Sequence, residues 1–339
     1  MSRHFSRREL LLAGAAAAAL GSSSLRAVQA ANRPSPVTIA NASGALNLTM
    51  AALMRQERFL ESLGLAPRVL QVADGTRILG ALVGGSADVS TMSGFGQVFP
   101  AIAHGAGLKI IGGGALRPML ALFSGKPAVK TLADLEGRTV GTGSVGALVY
   151  QLTLLLLRKF GVNADRVRFV SIGSDAEIFR AVSAGTVDAG AGQAALIPDA
   201  AEYGVHLLEH GNMSRELEEY TYQGAWAPER AIARERETLV RVLAAYAKLY
   251  RFVQTPQARD AFLRARRSVF PDAPARDNEA QWRYIEAYKP FAVNLTLSPE
   301  RLRYMQEVNI GFGVQRRVLP FSRVADMSLA DEALKLIAA

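Results

Sequence analysis

Cysteine is absent from the 339 residues, and histidine appears only at positions 4, 104, 206 and 210. Without cysteine there are no disulfide staples, thiol nucleophiles, thiolate-held zinc sites, iron–sulfur clusters or cysteine-linked lipid anchors. Four histidines give metal binding and imidazole catalysis little to draw on. Segments long enough to cross a bilayer are missing as well: the run from Leu10 to Leu20 has eleven residues, against the ~20 a spanning helix needs. Basic clusters interleaved with aromatics, the footprint of nucleic-acid binding, are not found. The densest basic stretch, Arg259 to Arg267, falls in a helix-like segment and reads as a solvated face. The nucleophile elbow G-x-S-x-G, the H-E-x-x-H metal motif and the phosphate-binding P-loop are also absent.

What is present is a globular composition, 50% hydrophobic and 20% charged, at a length that suits two domains of about 150 residues each. The N-terminus stands apart. Ser6-Arg7-Arg8-Glu9-Leu10-Leu11-Leu12 opens the short apolar run, and Val28-Gln29-Ala30 supplies small residues suited to a signal peptidase. A charged start, apolar middle and small-residue end predict an export signal over residues 1–30, of twin-arginine type, cleaved near Ala30. The run is too short for the alternative, a membrane anchor. Cleavage leaves a mature chain of net charge +6, expected in the periplasm, a modest excess that attracts anions.

The body of the chain is written twice. Val37-Thr38-Ile39-Ala40 leads through Asn41-Ala42-Ser43-Gly44 into a helix-like stretch carrying Leu46, Met50, Leu53, Met54 and Leu60. A strand at Val69–Val72, a turn at Gly75-Thr76, a short helix and a strand at Asp88–Thr91 follow. The same order recurs: Arg138-Thr139-Val140, the turn Gly143-Ser144-Val145-Gly146, a helix bearing Leu148, Leu152, Leu155, Leu156 and Phe160, then strands at Val167–Val170 and Val187–Ala189. Residues 78–88 match 178–188 in character, and Gly44-Ala45-Leu46 matches Gly146-Ala147-Leu148. Two α/β lobes follow, each a mostly parallel sheet with helices on its faces. Beyond Tyr222 the pattern turns helical: Leu239, Val242, Leu243, Tyr246, Leu249, Tyr250 and Val253 share one face, and Ser298-Pro299-Glu300 reads as a helix start. These tail helices are expected to pack on the first lobe.

The repeated turns sit where a strand's carboxyl end feeds a helix's amino end, the place where open α/β sheets gather ligands. They are rich in serine, threonine, asparagine and glycine, which donate hydrogen bonds or admit a close backbone. In a single turn such residues serve as helix caps; the set, on two lobes, predicts a ligand cleft. One turn contains Gly141-Thr142-Gly143-Ser144-Val145-Gly146, a G-x-G-x-x-G, so an exported NAD(P)-dependent oxidoreductase is an alternative. The acid that should follow about 20 residues on has no obvious occupant. His206 and His210 read as surface residues.

Several motifs resemble one family. Leu132-Ala133-Asp134-Leu135-Glu136-Gly137-Arg138-Thr139-Val140-Gly141, the turn Gly143-Ser144, the strand Gly185-Thr186-Val187-Asp188-Ala189, the turn Ser93-Gly94 and Ala103-His104-Gly105-Ala106-Gly107-Leu108-Lys109-Ile110 stand in the order seen in periplasmic substrate-binding proteins of ABC importers. The branch is that for aliphatic sulfonates, taurine, nitrate and thiamine precursors. The resemblance, from about Val37 to Val253, implies a two-lobe type II periplasmic-binding fold and, as partners, an ABC permease and ATPase. Enzymes similar in fold exist, a thiamine-pyrimidine synthase and a desulfinase, but both use a cysteine that this chain lacks, so no catalysis and no cofactor are expected. The expected division is residues 31–117 with 225–339 as lobe 1 and 118–224 as lobe 2, in a monomer. A small organic, anionic solute is expected between them. Asn41, Ser43, Thr91, Ser93, Ser144 and Gln193 are the expected side-chain contacts, backbone N–H groups near Gly44 and Val145 meet the acid group, and Trp226, with Tyr222, covers an apolar part. Arg77 and Arg117 are the candidate cations. Where many relatives carry Trp-x-Pro or Trp-Asp-Pro after the last strand motif, this chain has Gly190-Ala191-Gly192-Gln193-Ala194-Ala195, a smaller wall that would admit a bulkier solute. A ligand sensor for a membrane receptor is the remaining alternative.

Overall fold

The computed structural model describes residues 34–72, 75–145 and 147–338. The export signal expected over 1–30, its cleavage point, and Gly146 of the glycine motif lie outside the described residues. No helix among the described residues is long and apolar enough to cross a membrane.

Among the described residues, ten strands form two sheets of like design. The first holds β1 (Ser35–Ala42), β2 (Leu65–Val72), β3 (Ser90–Ser93), β4 (Leu108–Gly113) and β10 (Gly224–Pro228). The second holds β5 (Leu120–Ser124), β6 (Thr139–Thr142), β7 (Arg168–Ser171), β8 (Ala189–Gln193) and β9 (His206–Asn212). The second runs β7-β6-β8-β5-β9. The first runs β2-β1-β3-β10-β4, the β1–β3 step being a single parallel bridge, Ile39 to Val89. β10 is antiparallel to both its neighbours, as is β5 to its own, while the remaining strands of each sheet run one way. The equivalence extends to single atoms. Asp88 Oδ2 accepts the Thr38 N–H at 2.8 Å, and Asp188 Oδ2 accepts the Thr139 N–H at 2.9 Å.

Both last strands begin two residues later than their sequence pattern predicts, at Ser90 rather than Asp88 and at Ala189 rather than Val187. Each aspartate holds the neighbouring strand with its carboxylate as well as its backbone N–H, which donates to Thr38 O and to Thr139 O respectively. The strands themselves, STMS and AGAGQ, are buried on both faces apart from Gln193, so no polar–apolar alternation marks them.

Helices cover the sheets: α1 (Ala45–Gln56), α2 (Gly75–Gly84), α3 (Leu148–Lys159), α4 (Asp175–Ser183), α5 (Glu229–Val253), α6 (Arg259–Val269), α7 (Ala275–Tyr288), α8 (Pro299–Gly311) and α9 (Ser328–Leu336). All seven periodic apolar residues of α5 are buried, which is the helical stripe the spacing predicts. Ser298 caps α8, its Oγ accepting the Arg301 N–H at 3.3 Å. The tail corrects one expectation, because it packs on both sheets. α9 lies against α5 and β4, but α7 reaches the other side: Tyr284 Oη meets Ser214 Oγ at 2.9 Å and Asn212 Nδ2 donates to Tyr288 Oη at 3.2 Å.

The chain passes between the sheets through residues 114–119 and returns through 217–223. These crossovers are paired, with Gly114 N–H donating to Gln223 O at 3.0 Å and Gln223 N–H to Ala115 O at 2.9 Å. A β-carbon at position 114 would lie 3.0 Å from Gln223 O, so glycine allows the two backbones to touch.

Candidate ligand cleft

In the first lobe the expected site residues fall into two groups. Asn41, at the end of β1, is 1% exposed. Its Oδ1 accepts the N–H groups of Thr91 and Met92 at 3.1 and 3.0 Å and the Thr91 hydroxyl at 3.0 Å, while Nδ2 donates to Tyr246 Oη at 3.0 Å. This side chain ties β1 to β3 where the backbone ladder has one bridge. Ser93 Oγ meets Ser90 Oγ at 2.6 Å and accepts the Trp226 indole N–H at 2.9 Å. Asn41, Thr91, Ser93 and Trp226 are thus gathered as buried polar partners whose hydrogen bonds are satisfied inside the first lobe. Ser43 and Gly44 differ: both are exposed.

Gly44 is the N-cap of α1, in extended conformation and without a side-chain cap. The second lobe repeats this feature. Ser144 and Val145 are exposed, and α3 starts after Ala147, again extended and again without a side-chain cap. Among the described residues, no side chain accepts from the first-turn N–H groups at either helix start, and the helix dipole adds positive potential there. The neighbouring α4 is closed off instead: Ser174 Oγ accepts the Glu177 N–H and Glu177 Oε2 accepts from Ser174. The turns that carry these two helix starts approach each other. Asn47, in the first turn of α1, donates to Met92 O at 3.0 Å. Two residues further on, a β-carbon at Gly94 would stand 3.4 Å from the side chain of Leu148, the first residue of α3.

Gln193, at the end of β8, joins three elements. Its carboxamide donates to the Asp175 carboxylate at the start of α4 and accepts from Gln281 Nε2 of α7 at 3.5 Å. Burial holds the Asp175 carboxyl above its ordinary value, an effect that the Gln193 bond opposes. Tyr222, in the return crossover, has its phenol pushed up by burial and by the charge of Asp175. In the sequence, Asp175 is weighed only as the acid of a dinucleotide site, and it lies too far along the chain for that role. The one available signal was its place in a turn of the repeat.

Other candidates have plainer settings. Gly141 would place a β-carbon 2.8 Å from Ile172 and 3.3 Å from Ile178, so packing accounts for this glycine of the G-x-G-x-x-G. Gly190 and Gly192 likewise make room for Ile178 and Phe179; α4 fills that side, and Ala194 and Ala195 are buried in the core, which leaves Gln193 alone half-exposed. Arg117 pairs with Glu218 at 3.1 Å, and Arg77 is exposed in the first turn of α2. His206 meets Val129 O at 2.8 Å, and His210 stacks on Phe160 with centroids 4.5 Å apart. Among the described residues no three His, Asp or Glu side chains gather to hold a metal. The solvated face expected over Arg259–Arg267 is broken by Arg266, 7% exposed, with its Nε unpartnered and Nη1 3.5 Å from Thr49 Oγ1. Helical spacing turns that one arginine toward α1.

Two equivalent sheets, each with one reversed strand, joined by paired crossovers and edged by strand-to-helix turns, define the two-lobe fold of periplasmic binding proteins. The chain belongs to the NMT1/THI5-like family, whose model matches residues 49–258, and the resemblance drawn from its motifs holds. Among solved structures it is similar to the alkanesulfonate-binding protein SsuA of Xanthomonas axonopodis pv. citri bound to MOPS, with 21% identity, a TM-score of 0.67, and coverage of 89% of this chain and 98% of that one. The periplasmic nitrate-binding protein NrtA of Synechocystis PCC 6803 is similar at 11% identity and a TM-score of 0.68, covering 89% of each chain. The fold also occurs in the desulfurization enzyme DSZB, at 15% identity, a TM-score of 0.59, and coverage of 89% and 99%. No curated protein matches this chain in sequence.

Proposed function

We propose that this chain is a periplasmic solute-binding protein that captures a small organic molecule carrying an acid group and delivers it to an ABC permease and its ATPase. The observation that carries this reading is the pair of helix starts without side-chain caps, α1 after Gly44 and α3 after Ala147, on two lobes that approach each other at Gly94 and Leu148. Each offers free backbone N–H groups and a positive dipole end to an anion. Ser43, Ser144 and Gln193 add side-chain donors from both lobes, residues 31–117 with 225–339 and residues 118–224. Asn41, Thr91, Ser93 and Trp226 hold the first lobe's turns in place behind them. The SsuA and NrtA structures support the reading, since their names record anion binding on this fold. Because one solute touches both lobes only when they are together, binding favours closure. The oxidoreductase alternative loses its main support once Gly141 is explained by packing.

The test is a titration of the mature protein against carboxylates and sulfonates by calorimetry. Ser144→Ala removes one charge-assisted hydrogen bond and is expected to weaken binding about tenfold without changing the melting temperature. Equal affinity in the variant removes Ser144 from the site. A solute at 100 times its dissociation constant stabilises the protein by about 2.7 kcal/mol.

A further inference from the structure

The start of α1 has a buried cation beside it. α6 packs along α1, with Gln56 Nε2 donating to Ala261 O at 3.3 Å and, further on, Arg266 Nη1 standing 3.5 Å from Thr49 Oγ1. The two helices therefore run in opposite directions, and the end of α6 lies toward the start of α1. Thr49 is one turn into α1, its hydroxyl donating to Ala45 O at 2.9 Å. The Arg266 guanidinium lies over the Phe270 ring, 5.1 Å from its centroid, which turns it toward that same end.

Arg266 is 7% exposed, and its Nε has no hydrogen-bond partner among the described residues. Asp277 acts on it without forming an ion pair and is itself hydrogen-bonded to Tyr203. A second orphan stands at the same level. Phe262 and Trp282 meet with centroids 5.6 Å apart; one turn on along α6 and one turn back along α7 are Arg266 and Asn278. Asn278 is 4% exposed, and its Oδ1 also lacks a partner. Buried polar groups are normally hydrogen-bonded, so two orphans at one level point to a partner the chain does not supply. Packing alone does not account for the charge, because an apolar side chain of similar length would hold α6 on α1 without the desolvation penalty.

We infer that Arg266 is the cation of the solute site: it pairs with the acid group received at the start of α1 and so selects an ionised solute over its neutral amide. This deepens the solute-binding reading and rests on it. The burial that makes the guanidinium costly when unpaired also makes the pair strong, since little water screens it. The charge is then kept for binding although it lowers stability.

Matched pairs of probes decide the point by calorimetry on the mature protein: benzoate against benzamide, benzenesulfonate against benzenesulfonamide, and butyrate against butyramide. The wild type is expected to bind at least one acid about tenfold or more tighter than its amide. Arg266→Met should weaken that acid about 30-fold or more, leave the amide unchanged, and melt no lower than the wild type. Arg266→Lys, which keeps the charge without the planar fork, should fall between the two. A guanidinium that only holds α6 to α1 would weaken acid and amide equally. That result, or an acid bound as tightly by Arg266→Met as by the wild type, overturns the inference while leaving solute binding intact. No binding of any probe to the wild type overturns the reading beneath it and this inference with it. Arg266→Lys decides in the same way if the methionine variant does not fold.

Discussion

A hydroxyl or amide in a strand-to-helix turn has two possible employers, the protein interior and a solute, and burial tells them apart. Asn41 and Ser93 work inward, each satisfying partners that would otherwise be stranded in the core. Trp226 is fully buried, and its indole nitrogen is satisfied by Ser93 rather than by solvent. Trp226→Ala is therefore expected to lower stability by about 3–5 kcal/mol, measurable by urea denaturation; a loss under 1 kcal/mol contradicts the core assignment. Arg266 presents the reverse case, a buried cation without an ion pair. Burial lowers its guanidinium from the ordinary value, the direction expected when a charge loses solvent. Replacing such a charge by an apolar side chain of similar length removes a desolvation penalty. Arg266→Met should raise stability by about 1 kcal/mol or more, and clear destabilisation in the same denaturation series would show that the guanidinium holds α6 to α1.

At the scale of elements, the contrast between α4 and its neighbours is the informative one. α1 and α3 begin without side-chain caps, whereas α4 carries a full capping box. Its Glu177 carboxylate accepts from the Ser174 N–H and hydroxyl, which lowers its pKa from 4.5. A depressed acid contributes stability above its unfolded value that is lost as pH falls through the folded one. Glu177→Ala should therefore be less stable than wild type near neutrality, and the gap should close as pH drops below about 4.5; a constant gap across that range rules out the carboxylate as its source. Ser174→Ala should cost about 1 kcal/mol. The helices of the two repeats and the strands β1, β2, β6 and β7 were legible as hydrophobic periods, whereas β5, β9, β10, α7 and α9 were not read. β3 and β8 were not placed correctly, because strands covered on both faces lose alternation and because Asp88 and Asp188 look like strand residues while acting as tethers. The basic run in α6 was likewise misread, since composition does not say which arginine a helix turns inward.

For the whole molecule, the paired crossovers and the approach of Gly94 to Leu148 bring the two lobes together, and the proposed closure would act on that contact. Gly94 has no left-handed requirement, so a larger residue there fits its own backbone but pushes against the facing helix. Gly94→Val is expected to leave the melting temperature nearly unchanged, to weaken solute binding about tenfold, and to abolish the contraction on binding that small-angle scattering should record in the wild type. Contraction in the variant equal to that of wild type places the closing contact elsewhere.

Local order was enough to reveal two α/β repeats, the helical tail, the turns worth inspecting and the family, because hydrophobic period, turn chemistry and motif order are written along neighbouring residues. Which turn residues turn into the core and which stay exposed was decided only by folding. Asn41 meets Tyr246 across 205 positions and Trp226 meets Ser93 across 133, while Asp175 gains its meaning from Gln193 and Gln281. A polar side chain's role depends on which distant partner satisfies it, and that pairing exists only once the sheets, crossovers and tail have come together.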